Sequence, residues 1–269
     1  MREREYYQSP GAIECVQFIN AEEAGYFSKF DATKGFHQIE LHADCRDLTT
    51  FPTPFRRFRF KRAPFGITSI PEYYYRRMTE ALRGLKGITR FVHDILVHGR
   101  DEVEHLQNVR KFLDRSCSQE IRLNKDKFLF KETTIKFAGL LVHREVFWIR
   151  PKTVAAIKEF LVTTSMSNMR SFHGLANQLN PFDSELAKKL KPLRHLPKSR
   201  DNGKFHMSAG DVETFNDVKS YLSAPATLAY YQPSQAVQLY TDAASTKGYR
   251  FVLKQKQSSG KWRKIMVGS

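Results

Sequence analysis

Asp31 closes an apolar run, YFSKFD, and Asp94 lies within ITRFVHDILVH, a β-branched and aromatic stretch. That stretch reads as a hairpin with the polar pair His93-Asp94 at its tip. Carboxylates at strand ends and turns can converge on a pair of divalent ions. Phosphoryl transfer by two metals needs such oxygens around ions about 3.5–4 Å apart. Taken singly, each aspartate also suits a plainer role, as a turn residue bonding its own backbone. A transition-metal site from His93, Asp94 and His98 is disfavoured, because an offset of five sends the two imidazoles to opposite faces of a strand.

Several elements must position these residues. Residues 26–41 are expected as strand, turn and strand, broken at Thr33-Lys34-Gly35, and 50–62 as further strand. Ser69 and Glu72 have the spacing of a capping box, with Pro71 near the helix start. Ile70, Tyr74, Met78, Ala81 and Leu85 then recur at helical spacing up to Gly84 and Gly87. A second helix is expected over 101–115, lined by Val103, Leu106, Val109 and Leu113. Short strands are expected at 121–123, 127–130, 135–142 and 146–149. Helices follow from Pro151, with Val154, Ile157 and Leu161 on one face, from Asn168 to Leu179, and over about 211–222. The polar stretch 197–210 reads as a linker, and strands close the chain at 236–242, 249–254 and 262–267. This order implies an α+β fold rather than a repeated βαβ sheet.

Composition narrows the function classes. The 269 residues carry 44 Lys and Arg against 28 Asp and Glu, a net charge of +16. Such an excess points to a polyanionic partner, nucleic acid first. Two clusters concentrate it: Arg56, Arg57, Arg59, Lys61 and Arg62, and Lys188, Lys189, Lys191, Arg194, Lys198 and Arg200. Within the first, strand alternation puts Arg57, Arg59 and Lys61 on one face. No apolar run could span a bilayer and no secretory leader is visible, so an intracellular protein without membrane partners is expected. Cys15, Cys45 and Cys117 fit no metal or disulfide spacing and are expected as buried thiols.

The longer motifs carry a resemblance. YFSKFDATKGFHQIEL is similar to the first catalytic motif of the reverse transcriptases of gypsy-type LTR retrotransposons, encoded within Pol polyproteins. TPFRRFRFKRAPFGITSIPEYYYRRMTEALRGL resembles that family's Pro-Phe-Gly segment, and FVHDILVHG its aromatic-x-Asp-Asp hairpin. IRLNKDKFLF, IKFAGLLV, SFHGLANQLNPF, SAPATLAYYQP and LYTDAASTKGY match the following strands, primer grip, thumb, connection and start of RNase H, in order. The resemblance implies a palm at 1–149, a thumb at 150–200, a connection at 201–235 and the beginning of an RNase H-like domain at 236–269. It implies Asp31 and Asp94 as ligands of Mg²⁺ or Mn²⁺, and Ala32 beside them through its carbonyl. Phe36 would be a steric gate against a ribose 2′-OH. Pro64, Phe65 and Gly66 would lie beside the deoxynucleotide and template. Phe137, Ala138 and Gly139 would grip the primer, Arg170 would face duplex phosphates, and Asp242 would be the first RNase H carboxylate. The implied partners are an RNA template, a DNA primer, their RNA–DNA hybrid and deoxynucleotides.

The departures bear on activity. The family has two adjacent aspartates at the hairpin, whereas this chain has His93 at the first, metal-binding position. A neutral imidazole supplies neither the charge nor the oxygen that Mg²⁺ prefers. Impaired catalysis is therefore expected, with a non-catalytic basic nucleic-acid-binding module or a decayed relic as alternatives. From the closeness of the first motif to Met1 and of Asp242 to Ser269, the family's fingers and later RNase H carboxylates are expected to be missing. Arg250 takes the place of a glycine usual in the RNase H hairpin.

Overall fold

The computed structural model describes residues 10–19, 24–163, 165–198, 205–221, 227–243 and 249–268. It divides into two units, with the border between Ala138 and Gly139. The architecture is α+β, as the order of elements implies.

In the first unit the elements are α1 (Ala12–Gln17), β1 (Tyr26–Asp31), β2 (Phe51–Pro52), β3 (Arg57–Phe58), α2 (Ile70–Ala81), β4 (Ile88–Phe91), β5 (Asp94–Gly99), α3 (Glu102–Ser118), β6 (Leu129–Glu132) and β7 (Thr134–Phe137). The central sheet runs β4-β5-β1-β6 with antiparallel neighbours. Alternation along β1 and β5 sends Phe30, Ile95 and Val97 to one face. There they pack with Ile70, Tyr74 and Met78 of α2 and with Val109 and Phe112 of α3. The four-residue spacing of Ile70, Tyr74 and Met78 makes one stripe, so α2 buries the side that its sequence marks as apolar.

Several expectations need correction here. The second strand of 26–41 does not form. Gly35–Gln38 coils into a 3₁₀ turn, and only Glu40 bridges, to Arg62. The 50–62 strand reduces to the short β2–β3 hairpin, and 121–123 to one bridge between Leu123 and Ala32. The Ser69 side chain makes no cap bond, because Ser69 itself has helical φ/ψ. The polar pair is not the hairpin tip: Val92 and His93 form the turn, and Asp94 already begins β5. On α3, Val103, Leu106 and Leu113 are exposed, while His105, Asn108, Phe112 and Ser116 are buried. Those polar groups are accommodated because Ser28 Oγ and His105 Nε2 stand 2.9 Å apart and Asn108 donates to the His98 carbonyl at 2.9 Å. Of the cysteines only Cys15 is buried, and Cys45 and Cys117 are exposed on a 3₁₀ turn and on α3.

The second unit contains β8 (Leu140–His143), β9 (Val146–Ile149), α4 (Pro151–Lys158), α5 (Met166–Asn177), α6 (Ser184–Leu190), α7 (Ala209–Tyr221), β10 (Thr227–Ala229), β11 (Val237–Ala243), β12 (Tyr249–Lys256) and β13 (Trp262–Gly268). Antiparallel pairing links β10 to β9 and β9 to β8, and separately β11 to β12 and β12 to β13. On α5, Met169, Phe172 and Ala176 are buried as their spacing predicts, whereas Leu161, beyond the end of α4, is exposed. Residues 199–204 of the expected linker, with Arg200 of the second basic cluster, lie outside the described residues. No helix among the described residues is long and apolar enough to cross a membrane.

Candidate functional site

Asp31 is the last residue of β1 and Asp94 the first of β5, and the antiparallel register makes them direct partners. Directly opposed residues project to the same face, so the two carboxylates share one side of the sheet, opposite the face that packs on α2 and α3. Each is accompanied by a lysine. Lys127 Nζ lies 3.3 Å from both Asp31 oxygens, and Lys29 Nζ lies 3.5 Å from Asp94 Oδ1. Lys29 stands two residues before Asp31 and shares its face by strand alternation, a signal present in the sequence. Lys127 carries no such signal. It arrives because the Asn124 N–H donates to the Asp31 carbonyl at 2.8 Å and Asn124 Oδ1 accepts from Asp126, which turns the chain over the end of β1.

Ala32 continues β1 and donates its N–H to the His93 carbonyl at 2.9 Å. The β4–β5 turn takes a positive φ at Val92, 52°, a region that β-branched residues rarely enter. His93 does not turn its ring into a ligand cluster with the aspartates. The ring packs edge-on against Phe36, 4.6 Å between centroids, and against Tyr74, 5.1 Å. Gly35 makes room for it, since a Cβ there would run into the imidazole. His93 Nδ1 and Tyr74 Oη are buried with no hydrogen-bond partner among the described residues. Burial holds the His93 imidazole below its usual range, against the opposing pull of the Asp31 and Asp94 carboxylates. The ring is thus neutral near pH 7. Burial likewise pushes the Tyr74 phenol up to about 12.

Phe36 sits in the 3₁₀ turn and touches Tyr74 and His93, and its ring is 5.7 Å from that of Phe65. Pro64 is buried, Phe65 is exposed, and Gly66 has φ 93° with open space where a Cβ would stand. The structure therefore brings Asp31, Ala32, Phe36, Phe65, His93 and Asp94 into one neighbourhood. Phe137 is buried at the end of β7, and Ala138 and Gly139 follow it with φ of 51° and 82°, a tight turn at the border of the two units. In the second unit Asp242 lies on β11 opposite Arg250 of β12, which binds it and also Glu185.

The donor set decides what the site can hold. Two facing carboxylates offer hard oxygens of the kind that Mg²⁺ and Mn²⁺ take. Among the described residues no group of three or more His, Cys, Asp and Glu side chains could hold a metal, so position 93 adds no third donor. The two carboxylates fit a divalent cation, with fewer charges than a pair of such ions calls for.

Comparison with known proteins agrees with this architecture. Residues 6–142 match the family described as reverse transcriptase (RNA-dependent DNA polymerase). The chain is 30 % identical over 233 residues to the retrovirus-related Pol polyprotein from transposon opus of Drosophila melanogaster, covering 82 % of this chain and 23 % of that protein. With the Pol polyprotein from transposon gypsy of the same organism it shares 26 % identity over 249 residues, 88 % of this chain and 24 % of the relative. It thus spans about a quarter of the length of these curated relatives. A foamy viral protease-reverse transcriptase solved with an RNA/DNA hybrid superposes with a TM-score of 0.82 at 18 % identity, over 98 % of this chain and 35 % of that one. Reverse transcriptases as a family use divalent metal ions, in keeping with the oxygens at the β1–β5 edge. By motif, fold and relatives together, the chain belongs to the reverse transcriptase family, in the form found in LTR retrotransposons.

Proposed function

We propose that this chain is the polymerising part of a retrotransposon Pol polyprotein, extending a DNA primer with deoxynucleotides on an RNA template, and that His93 weakens that reaction. The observation that carries the reading is the direct pairing of Asp31 with Asp94 on one face of the sheet. These carboxylates would hold Mg²⁺ or Mn²⁺, which when bound supplies positive charge to a reacting phosphate. Lys29 and Lys127 stand against the two carboxylates, and a cation would compete with them for those oxygens. Phe36, braced by Tyr74 and His93, presents a ring where a 2′-OH would otherwise fit. Phe65 and Gly66 offer an aromatic surface and free backbone beside it. Phe137, Ala138 and Gly139 are proposed to hold the primer end.

Palm, thumb, connection and the start of an RNase H-like domain are proposed at 1–149, 150–200, 201–235 and 236–269. The net charge of +16 supports contact with nucleic acid phosphates throughout. A second reading, a nucleic-acid-binding module without catalysis, is favoured by the neutral imidazole at position 93. It is favoured also by Arg250, which occupies the carboxylate of Asp242. Primer extension on an RNA template decides between the two. The polymerase reading expects slow, metal-dependent synthesis that Asp31→Ala abolishes. Binding without any synthesis, also after His93→Asp, supports the module.

A further inference from the structure

The loop of the β2–β3 hairpin carries one hydroxyl in a particular setting, Thr53-Pro54-Phe55-Arg56. Phe51 pairs with Phe58 and Pro52 with Arg57, so Thr53 and Arg56 face each other where the chain turns. The Thr53 N–H donates to the Arg56 carbonyl at 3.0 Å. Thr53 Oγ1 donates to the same carbonyl at 2.6 Å and accepts from the Arg56 N–H at 3.2 Å. Opposed residues of a hairpin project to one face. The Arg56 guanidinium lies over Phe58, two residues on and so on that same face, 4.9 Å from the ring centroid.

The tip is presented to solvent. Pro54, Phe55 and Arg56 are exposed, Phe55 to 93 %. Only two residue pairs make the ladder, and Pro52 has no N–H to give to it. So short a hairpin opens at small cost, and the loop can be drawn out into an extended segment. The sequence has two steps from a hydroxyl residue to proline, Ser9-Pro10 and Thr53-Pro54. Only the second has a basic side chain three positions after the hydroxyl, Arg56, where the first has Ala12.

We infer that Thr53 is a phosphorylation site for a proline-directed protein kinase, and that its phosphate pairs with Arg56 and lowers the affinity of the chain for nucleic acid. Proline after the hydroxyl suits an apolar kinase pocket, where any other residue would bury an unpaired N–H. A guanidinium three residues on can meet an anionic group of the enzyme. In the transfer a bond forms between Thr53 Oγ1 and the γ-phosphorus of ATP. The bond from that phosphorus to the β–γ bridging oxygen breaks, ADP leaves, and the hydroxyl proton passes to a base of the kinase. Oγ1 then has no proton for the Arg56 carbonyl, whereas the phosphate oxygens accept from the Arg56 N–H and guanidinium. The effect on affinity rests on the proposed function. A phosphate brings about 1.5–2 negative charges among Arg56, Arg57, Arg59, Lys61 and Arg62, and so reduces the net +16 that attracts a polyanion.

The test incubates the whole chain with ATP and a cyclin-dependent kinase, and follows it by intact mass and peptide mapping. Phosphate enters at Thr53. Thr53→Ser accepts it too, Thr53→Ala does not, and Pro54→Ala slows the transfer by about tenfold or more. In the modified chain, phosphorus NMR finds the second ionisation of the phosphate below that of a free phosphothreonine peptide, which lies at about 6. Arg56→Gln, modified more slowly, returns it to the peptide value. A blunt RNA–DNA duplex binds the modified chain about threefold or more weakly than the parent at low salt, and phosphatase restores the parent affinity. Transfer to Ser9 alone, or to neither residue, overturns the inference. A phosphate at Thr53 that titrates as in the free peptide, or that leaves duplex affinity unchanged, also overturns it. Each of these results leaves the proposed function standing. A parent chain that binds no duplex at low salt overturns the proposed function and the effect on affinity with it, while mass and NMR still decide the assignment of Thr53.

Discussion

Asp31 and Asp94 are directly opposed residues at the ends of two antiparallel strands, and each carboxylate carries its own lysine: Lys127 on Asp31 and Lys29 on Asp94. Two like charges held this close repel unless something positive intervenes. The lysines meet that need within the chain, and a divalent cation would compete with them. The cation binding proposed for this site can be tested without turnover.

Added Mg²⁺ should therefore raise the melting temperature. Saturation at ten times the dissociation constant corresponds to about 1.4 kcal/mol, or roughly 2–4 °C for a chain of this size. Asp31→Asn should remove most of that shift while leaving the metal-free melt within a few degrees of the parent. A parent protein whose melting temperature ignores Mg²⁺ and Mn²⁺ alike would falsify the assignment of these carboxylates as ligands.

Position 93 should set the rate. Mg²⁺ demands a near-ideal octahedral set of oxygens that two carboxylates leave incomplete, so primer extension by the parent should be slow with Mg²⁺ and somewhat faster with the less exacting Mn²⁺. His93→Asp restores a carboxylate beside two others and should raise the Mg²⁺ rate by about tenfold or more, 1.4 kcal/mol of barrier. Asp31→Ala in that background should return it to the blank. Fast Mg²⁺-dependent synthesis by the parent would contradict the idea that His93 impairs the site.

Phe36 should govern sugar selection. Phe36→Val removes the ring that Tyr74 and His93 brace, and should increase ribonucleotide use relative to deoxynucleotide use. Lost packing should cost about 1–3 kcal/mol, visible as a lower urea midpoint. An unaltered ratio of ribo- to deoxynucleotide incorporation in a folded variant would show that the ring is only core.

Acid should weaken the fold through buried imidazoles. Burial lowers the His98 pKa to about 4, whereas in the unfolded chain the group protonates near 6.5. Between those values the unfolded state binds more protons. The stability is therefore present in full above pH 6.5 and lost as the pH falls toward 4. His105 and His173 are shifted the same way by burial. For His98 alone the loss by pH 5 is about 2 kcal/mol. Urea unfolding at pH 7 and pH 5 measures it, and His98→Leu should flatten the difference. Equal acid sensitivity in parent and variant would place the titrating group elsewhere.

Asp242 should act as a structural partner of Arg250 rather than as a cation ligand. Arg250→Ala should change the melting temperature little, since exposed ion pairs contribute little to stability. Neither parent nor variant should cut the RNA of an RNA–DNA hybrid. Cleavage appearing in the variant would mean that Arg250 masks a working centre.

Local patterns alone determined much of this protein. Strand β1 and the β4–β5 hairpin follow from runs of β-branched and aromatic residues, and the buried stripe of α2 from side chains four apart. The motif order already pointed to the family, and the two aspartates to one site. What lay beyond the sequence depends on partners distant along the chain. α3 turns His105, Asn108 and Ser116 inward, where Ser28 engages His105 Nε2, the His98 carbonyl accepts from Asn108, and the Phe112 carbonyl accepts from Ser116. Hydrophobic periodicity counts such polar residues as surface, and so it marks Leu106 and Leu113 as core. Lys127 meets Asp31 across 96 positions only because the Asn124 N–H docks on the Asp31 carbonyl. The direction of the His93 ring was likewise decided by tertiary packing. Space left by the missing side chain of Gly35, and the rings of Phe36 and Tyr74, draw the imidazole away from the carboxylates that its neighbour in sequence joins.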